Sequence, residues 1–128
     1  MQRWVWLVLL FVLSTSVACT SSAVLEARDP NALQSSDPEA MREVILHALR
    51  DRGWRVDGEN FGVIVATVRV GGHEATIEVD YDDRGYLIRH LRSSPSLKYT
   101  GNSVHKRYNR WVAALDRSIQ KRIRDLGY

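Results

Sequence analysis

VIVATVRVGGHEATIEVDYDDRGYLIRHLRS, residues 63–93, holds three runs in which apolar and polar side chains alternate, separated by Gly71-Gly72 and by Asp82-Asp83-Arg84-Gly85. Alternation with a period of two marks strands with one buried face. A Gly-Gly pair suits a two-residue hairpin loop, because the favoured turn needs positive φ at both central residues. The runs 63–70, 73–81 and 86–93 therefore read as an antiparallel meander. If Val70 pairs with His73, then Val68 faces Ala75, Ala66 faces Ile77 and Ile64 faces Val79, all on one side. Across the second turn Tyr81 faces Tyr86, Val79 faces Ile88 and Ile77 faces His90. The other side pairs Arg69 with Glu74 and Glu78 with Arg89, two opposite-charge pairs that each favour this register by a few tenths of a kcal/mol.

Before the meander, residues 54–59 read as one more short strand, and before that the period changes to 3.6. Met41, Val44, Ile45, Ala48 and Leu49 recur at helical spacing. The start of that helix has two readings: Ser36 as cap with Glu39 three residues on, or Asp37 as cap with Pro38 at the first helical position. Gly53 suits its left-handed end. After the meander, residues 102–126 form a second helical pattern. Val104, Tyr108, Trp111, Val112, Leu115, Ile119, Ile123 and Leu126 fall on one stripe, which makes Trp111 an expected core residue. The fold class expected is α+β: a two-layer domain in which a four-stranded antiparallel meander carries an N-terminal and a C-terminal helix on one face, in the order α-β-β-β-β-α.

The first residues belong to another category. A positive end with Arg3, an apolar run over residues 4–13 and small polar residues up to Ala18 outline a secretory signal peptide. The run is shorter than the about 20 apolar residues needed to span a bilayer. Cys19, the chain's single cysteine, follows directly. Residues 17–19, Val-Ala-Cys, resemble the bacterial lipobox, whose cysteine is acylated and becomes the mature terminus. Ser16 departs from the Leu usual in that pattern, and Ser-Val-Ala also suits ordinary signal peptidase, which would leave a secreted protein with a free thiol. A lone thiol in an oxidising compartment is a liability, whereas a thioether is inert. The expected organisation is a signal peptide over 1–18, a lipidated terminus and linker over 19–36, and one domain over 37–128. Thr20, where the lipoprotein pattern uses Asp for inner-membrane retention, implies the outer membrane of a bacterial envelope, with the domain facing the periplasm.

The net charge of +3 conceals a division: residues 19–83 carry 6 basic and 13 acidic side chains, residues 84–128 carry 11 basic and 2 acidic. On the second helix Lys106, Arg110, Arg117, Lys121 and Arg124 share a face roughly opposite Trp111 and Leu115. Like charges four apart oppose a helix by a few tenths of a kcal/mol, so this face is a candidate binding surface for anionic lipid, lipopolysaccharide or an acidic envelope protein. An exported chain is not expected to meet nucleic acid.

No nucleophile elbow, phosphate loop or CxxC is present. The turn at residues 80–85, D-Y-D-D-R-G, imitates the opening of a calcium loop, but Arg84 occupies a ligand position and Leu91 stands where the closing Glu belongs; a hairpin turn explains it better. His47, His73, His90 and His105 share no metal-ligand spacing, and His90 is expected on the core side beside Ile77. No catalytic residue, metal or cofactor is expected.

KYTGNSVHKRYNRW, residues 98–111, resembles the carboxy-terminal signature of a family of small, uncharacterised proteobacterial lipoproteins, K-Y-x-G-x-x-[IV]-H-x-x-Y-N-x-W. The resemblance extends more loosely from the first helix onward, through Arg52, Gly53 and Trp54. It implies an envelope location and no activity. Tyr99, His105, Tyr108 and Asn109 are thus candidates either for a ligand site or for fixing the loop onto the helix. The expectation is a lipid-anchored binding or scaffold module. Two alternatives stand beside it: a small envelope enzyme working from the 94–102 loop with His105 and Tyr108, and a homo-oligomer formed through the outer sheet face, where Val65, Leu87 and Leu91 interrupt a polar surface.

Overall fold

A computed structural model describes residues 21–23, 26–29 and 37–126. Cys19 and the signal-peptide segment lie outside the described residues, as does Ser36. The chain runs β1 (Ser21–Ala23), β2 (Ala27–Asp29), α1 (Pro38–Asp51), β3 (Arg55–Asn60), β4 (Val63–Val70), β5 (His73–Tyr81), β6 (Tyr86–Ser93), a 3-10 turn at Pro95–Leu97, β7 (Ser103–His105) and α2 (Lys106–Asp125).

The sheet is the expected meander, β6-β5-β4-β3 in order. Every pair the alternation fixes is present, from Val70 opposite His73 to Tyr81 opposite Tyr86. Gly71 and Gly72 take φ of 55° and 80°, the double positive φ that a hairpin of this length requires. Arg69 donates to Glu74, and Arg89 donates to Glu78 at 2.7 Å and also reaches Asp80. Two bulges depart from ideal alternation: Asp57 is an extra residue between Val56 and Gly58, and Leu91 is extra between the partners of Ile77 and Thr76.

Both helices lie on the face made by Ile64, Ala66, Val68, Ala75, Ile77, Val79 and Ile88, all buried in one core. α1 contributes Met41, Val44, Ile45, Ala48 and Leu49; α2 contributes Tyr108, Val112, Leu115, Ile119 and Ile123. Of the two readings of the first helix start, Asp37 holds: its Oδ1 accepts from the Glu39 amide at 2.9 Å, with Pro38 at the first position. Arg122 pairs with Asp51 across the helices, and the Tyr86 hydroxyl donates to Asp116 at 2.6 Å, tying α2 to the sheet.

Three expectations are corrected. The 19–36 stretch was expected to be linker, yet β2 adds a fifth strand beside β6 and β1 pairs with β7. Backbone pairing to an edge already formed needs no side-chain periodicity, so nothing in the composition announces it. The second helix starts at Lys106 rather than near 102: Gly101, with φ of 94°, turns the chain, and residues 103–105 are extended. Val104 is fully buried in the extended segment. Finally, Trp111 is half-buried against the core rather than inside it, and Leu126 is exposed at the helix end.

Candidate functional site

The 94–102 loop crosses the end of the sheet where β5 begins. Its 3-10 turn buries Leu97 completely, and Lys98 takes a left-handed φ of 51°. The Ser94 amide donates to the Glu74 carbonyl at 2.9 Å, and the Ser94 hydroxyl accepts from the Glu74 amide at 3.0 Å. Thr100 and Ser103 close the second half, with the Thr100 amide donating to the Ser103 carbonyl at 3.0 Å.

Beneath this loop lie three of the four histidines, in two groups. His90 is half-buried; its ring stacks on Tyr99 with centroids 3.6 Å apart and meets the Tyr108 ring edge-on at 5.3 Å, while Nε2 shares a hydrogen bond with the Ser93 hydroxyl at 2.9 Å. Burial pushes the His90 imidazole below its ordinary pKa. Tyr108 is fully buried, its hydroxyl has no hydrogen-bond partner among the described residues, and desolvation raises its pKa well above the usual tyrosine range.

The second group joins His73 and His105, whose rings stack at 5.6 Å. His73 Nδ1 shares a hydrogen bond with the Ser96 hydroxyl at 2.8 Å, and Ser96 in turn contacts Ser94 at 2.9 Å. His105 Nδ1 accepts from the Arg107 amide at 3.1 Å, so this imidazole is the N-cap of α2. Desolvation, then the neighbouring His73, Arg107, Lys98 and Arg110, lowers its pKa.

Of the signature residues, Tyr99 and Tyr108 thus come together around His90, while His105 turns away to cap the helix and meet His73. Asn109 is half-buried on the same turn of α2. The Ser96–His73 contact escaped the sequence reading. The run Ser93-Ser94-Pro95-Ser96 beside a histidine just past a hairpin turn was its only signal. Among the described residues none of these three histidines makes an ion pair with a carboxylate, so the Ser96–His73 pair lacks an acid to orient the imidazole. Likewise, no group of three His, Cys, Asp or Glu among the described residues could hold a metal ion. The acidic turn is a hairpin turn: Asp82 Oδ1 accepts from the Arg84 and Gly85 amides at 2.8 and 2.9 Å.

Comparison with protein-family models, with curated proteins and with solved structures returned no match.

The second candidate surface is the back of α2. Lys106, Arg110, Arg117, Lys121 and Arg124 are all exposed, and among the described residues only Lys121 of these has an ion-pair partner, Asp125 at 2.6 Å. The outer sheet face, by contrast, is a polar lattice. Thr67 and Thr76 are buried with their hydroxyls 2.7 Å apart, and Thr67 donates on to Asp57. Val65 and Leu87 are half-buried there, and Leu91 projects from its bulge. Among the described residues no helix is long and apolar enough to cross a membrane.

Proposed function

We propose that this chain is a lipid-anchored protein of the bacterial envelope, acylated on Cys19, facing the periplasm and more at home on the outer than the inner membrane. Its folded domain binds or scaffolds an anionic partner and does no covalent chemistry. The observation that carries the binding role is the row of exposed cations along α2, four of which have no acid of the described chain to answer them. A row of like charges opposes its own helix, and an anionic neighbour offsets that opposition. Lipid phosphates, lipopolysaccharide and an acidic envelope protein all supply such a neighbour. The small residues before Cys19 and the apolar run ahead of them support the anchor.

The anchor is tested by growing cells with labelled fatty acid: label enters the wild-type protein and is absent from Cys19→Ser. An unlabelled, freely soluble wild-type protein defeats the anchor. The binding role is tested by envelope crosslinking with Arg110, Arg117 and Lys121 reversed to Glu. Crosslinks that survive the reversals place the partner elsewhere on the domain.

A further inference from the structure

The antiparallel pairing of β1 with β7 sets Ser21 opposite His105 and Ala23 opposite Ser103. Ser21, the first described residue, therefore sits beside the residue that caps α2. Two peptide units separate Cys19 from Ser21, a reach of about 7 Å at most. A tether at Cys19 consequently holds one particular end of the domain at the bilayer, with no long spacer between.

That end is basic. Lys98, Arg107 and Arg110 all act on the His105 imidazole, and Lys106 follows it in the chain. Arg107 reaches the Gly71-Gly72 hairpin, where a methyl group added at Gly71 would stand 3.5 Å from its guanidinium. The first turn of α2 contains no acidic residue, so these cations sit on the positive end of the helix dipole. Glu74, beside the 94–102 loop, is already engaged by Arg69, and Glu26 is exposed on the Tyr108 side. The opposite end of β5, a nine-residue strand away, is acidic: Glu39, Asp82 and Asp83 line a groove there beside the fully exposed Phe61.

We infer that the surface made by Lys98, Lys106, Arg107 and Arg110 docks on the anionic headgroups of the membrane that holds Cys19, turning the acidic Phe61 end outward. The inference rests on the acyl anchor proposed above and adds the identity and position of the anionic partner. An acyl chain and a polybasic patch at one point act as two membrane signals together, and the unfavourable charge at the start of α2 is compensated by lipid phosphate.

The test uses the full chain purified from bacterial envelopes and reconstituted into vesicles of phosphatidylglycerol and phosphatidylethanolamine, a fraction of which carry a photoactivatable headgroup. Intact mass reports acylation of Cys19; peptide mapping reports where headgroups attach. Crosslinks should concentrate on residues 98–110 and be scarce on 59–62 and 82–85. They should fall about tenfold in the variant Lys98→Glu, Lys106→Glu, Arg110→Glu, and fall likewise at high salt, with acylation and circular dichroism unchanged. Crosslinks centred on the Phe61 end, or acylated protein without enrichment at 98–110, overturn the docking surface while leaving the anchor intact. A chain without added mass on Cys19 overturns the anchor. In that case headgroup crosslinks confined to 98–110 at low salt still support the surface, and their absence removes it.

Discussion

The two helices of the one layer begin in opposite ways. α1 follows every local rule: the Asp37 side chain caps it, Pro38 takes the first position, Glu39 puts an acid at the positive end and Arg50 a base at the negative end. α2 keeps the rule at its far end, with Arg122 and Arg124 in the last turn, and breaks it at the start, where an imidazole is the cap and the first turn has bases and no acid. A helix whose start is balanced from within needs no neighbour. One whose start is unbalanced has room for a charge brought from elsewhere, and here the departures from local consistency gather at the surface proposed for binding.

The comparison breaks most visibly if α2 is not held by its inner face. Tyr108→Ala, at a fully buried ring, should cost about 3–5 kcal/mol in chemical denaturation, and half-buried Trp111 about half as much on truncation. Equal losses would mean that α2 docks through another face. Next in size is the cap of α1: Asp37→Ala should lose about 1 kcal/mol, and no loss would show the first helix to be held by packing alone. Smaller still, and opposite in sign, is Lys106→Glu. Placing an acid at the start of α2 should stabilise the domain by about 0.3–1 kcal/mol while weakening headgroup crosslinking. A variant that is both less stable and undiminished in crosslinking removes the contrast between the helices.

The finest effect is pH dependence. His90 through burial, and His105 through desolvation and its cationic neighbours, hold protons less tightly folded than at the ordinary value of about 6.5. The unfolded chain therefore takes up protons first. Stability should be full above about pH 6.5 and fall as pH drops toward the folded values. Protonation of His105 Nδ1 also removes the acceptor of the Arg107 amide. His105→Asn, which can still cap, should flatten the dependence in thermal melts between pH 8 and 5. An unaltered slope would assign the effect to His90.

The meander was legible because its constraints are redundant: alternation, the glycine turn and two charge pairs all specify one register, and a slip of one residue would expose every core side chain. The bulges at Asp57 and Leu91 were not, since a single inserted residue leaves the pattern on either side intact. The start of α2 was misread because Val104 satisfies a helical stripe and a buried strand position equally. β1 and β2 could not be read because their partners lie far along the chain. At the candidate site, the inward position of His90 followed from register, but its stack on Tyr99 and the His73–Ser96 contact depend on how the loop closes. The exposure of the α2 cations was visible on a helical wheel; the nearness of the first of them to Ser21 required β1.

The position of β1 also orders events in time. The β4–β5 and β5–β6 hairpins close over two and four residues and need only microseconds. β1 must wait for a partner eighty or more residues later, and closing so long a loop early would forfeit chain entropy that no local contact returns. A chain emerging amino end first thus brings out β1 ahead of its partner and seats it late. Under the anchor proposed at Cys19, seating β1 is the step that would decide which end of the finished domain lies next to it.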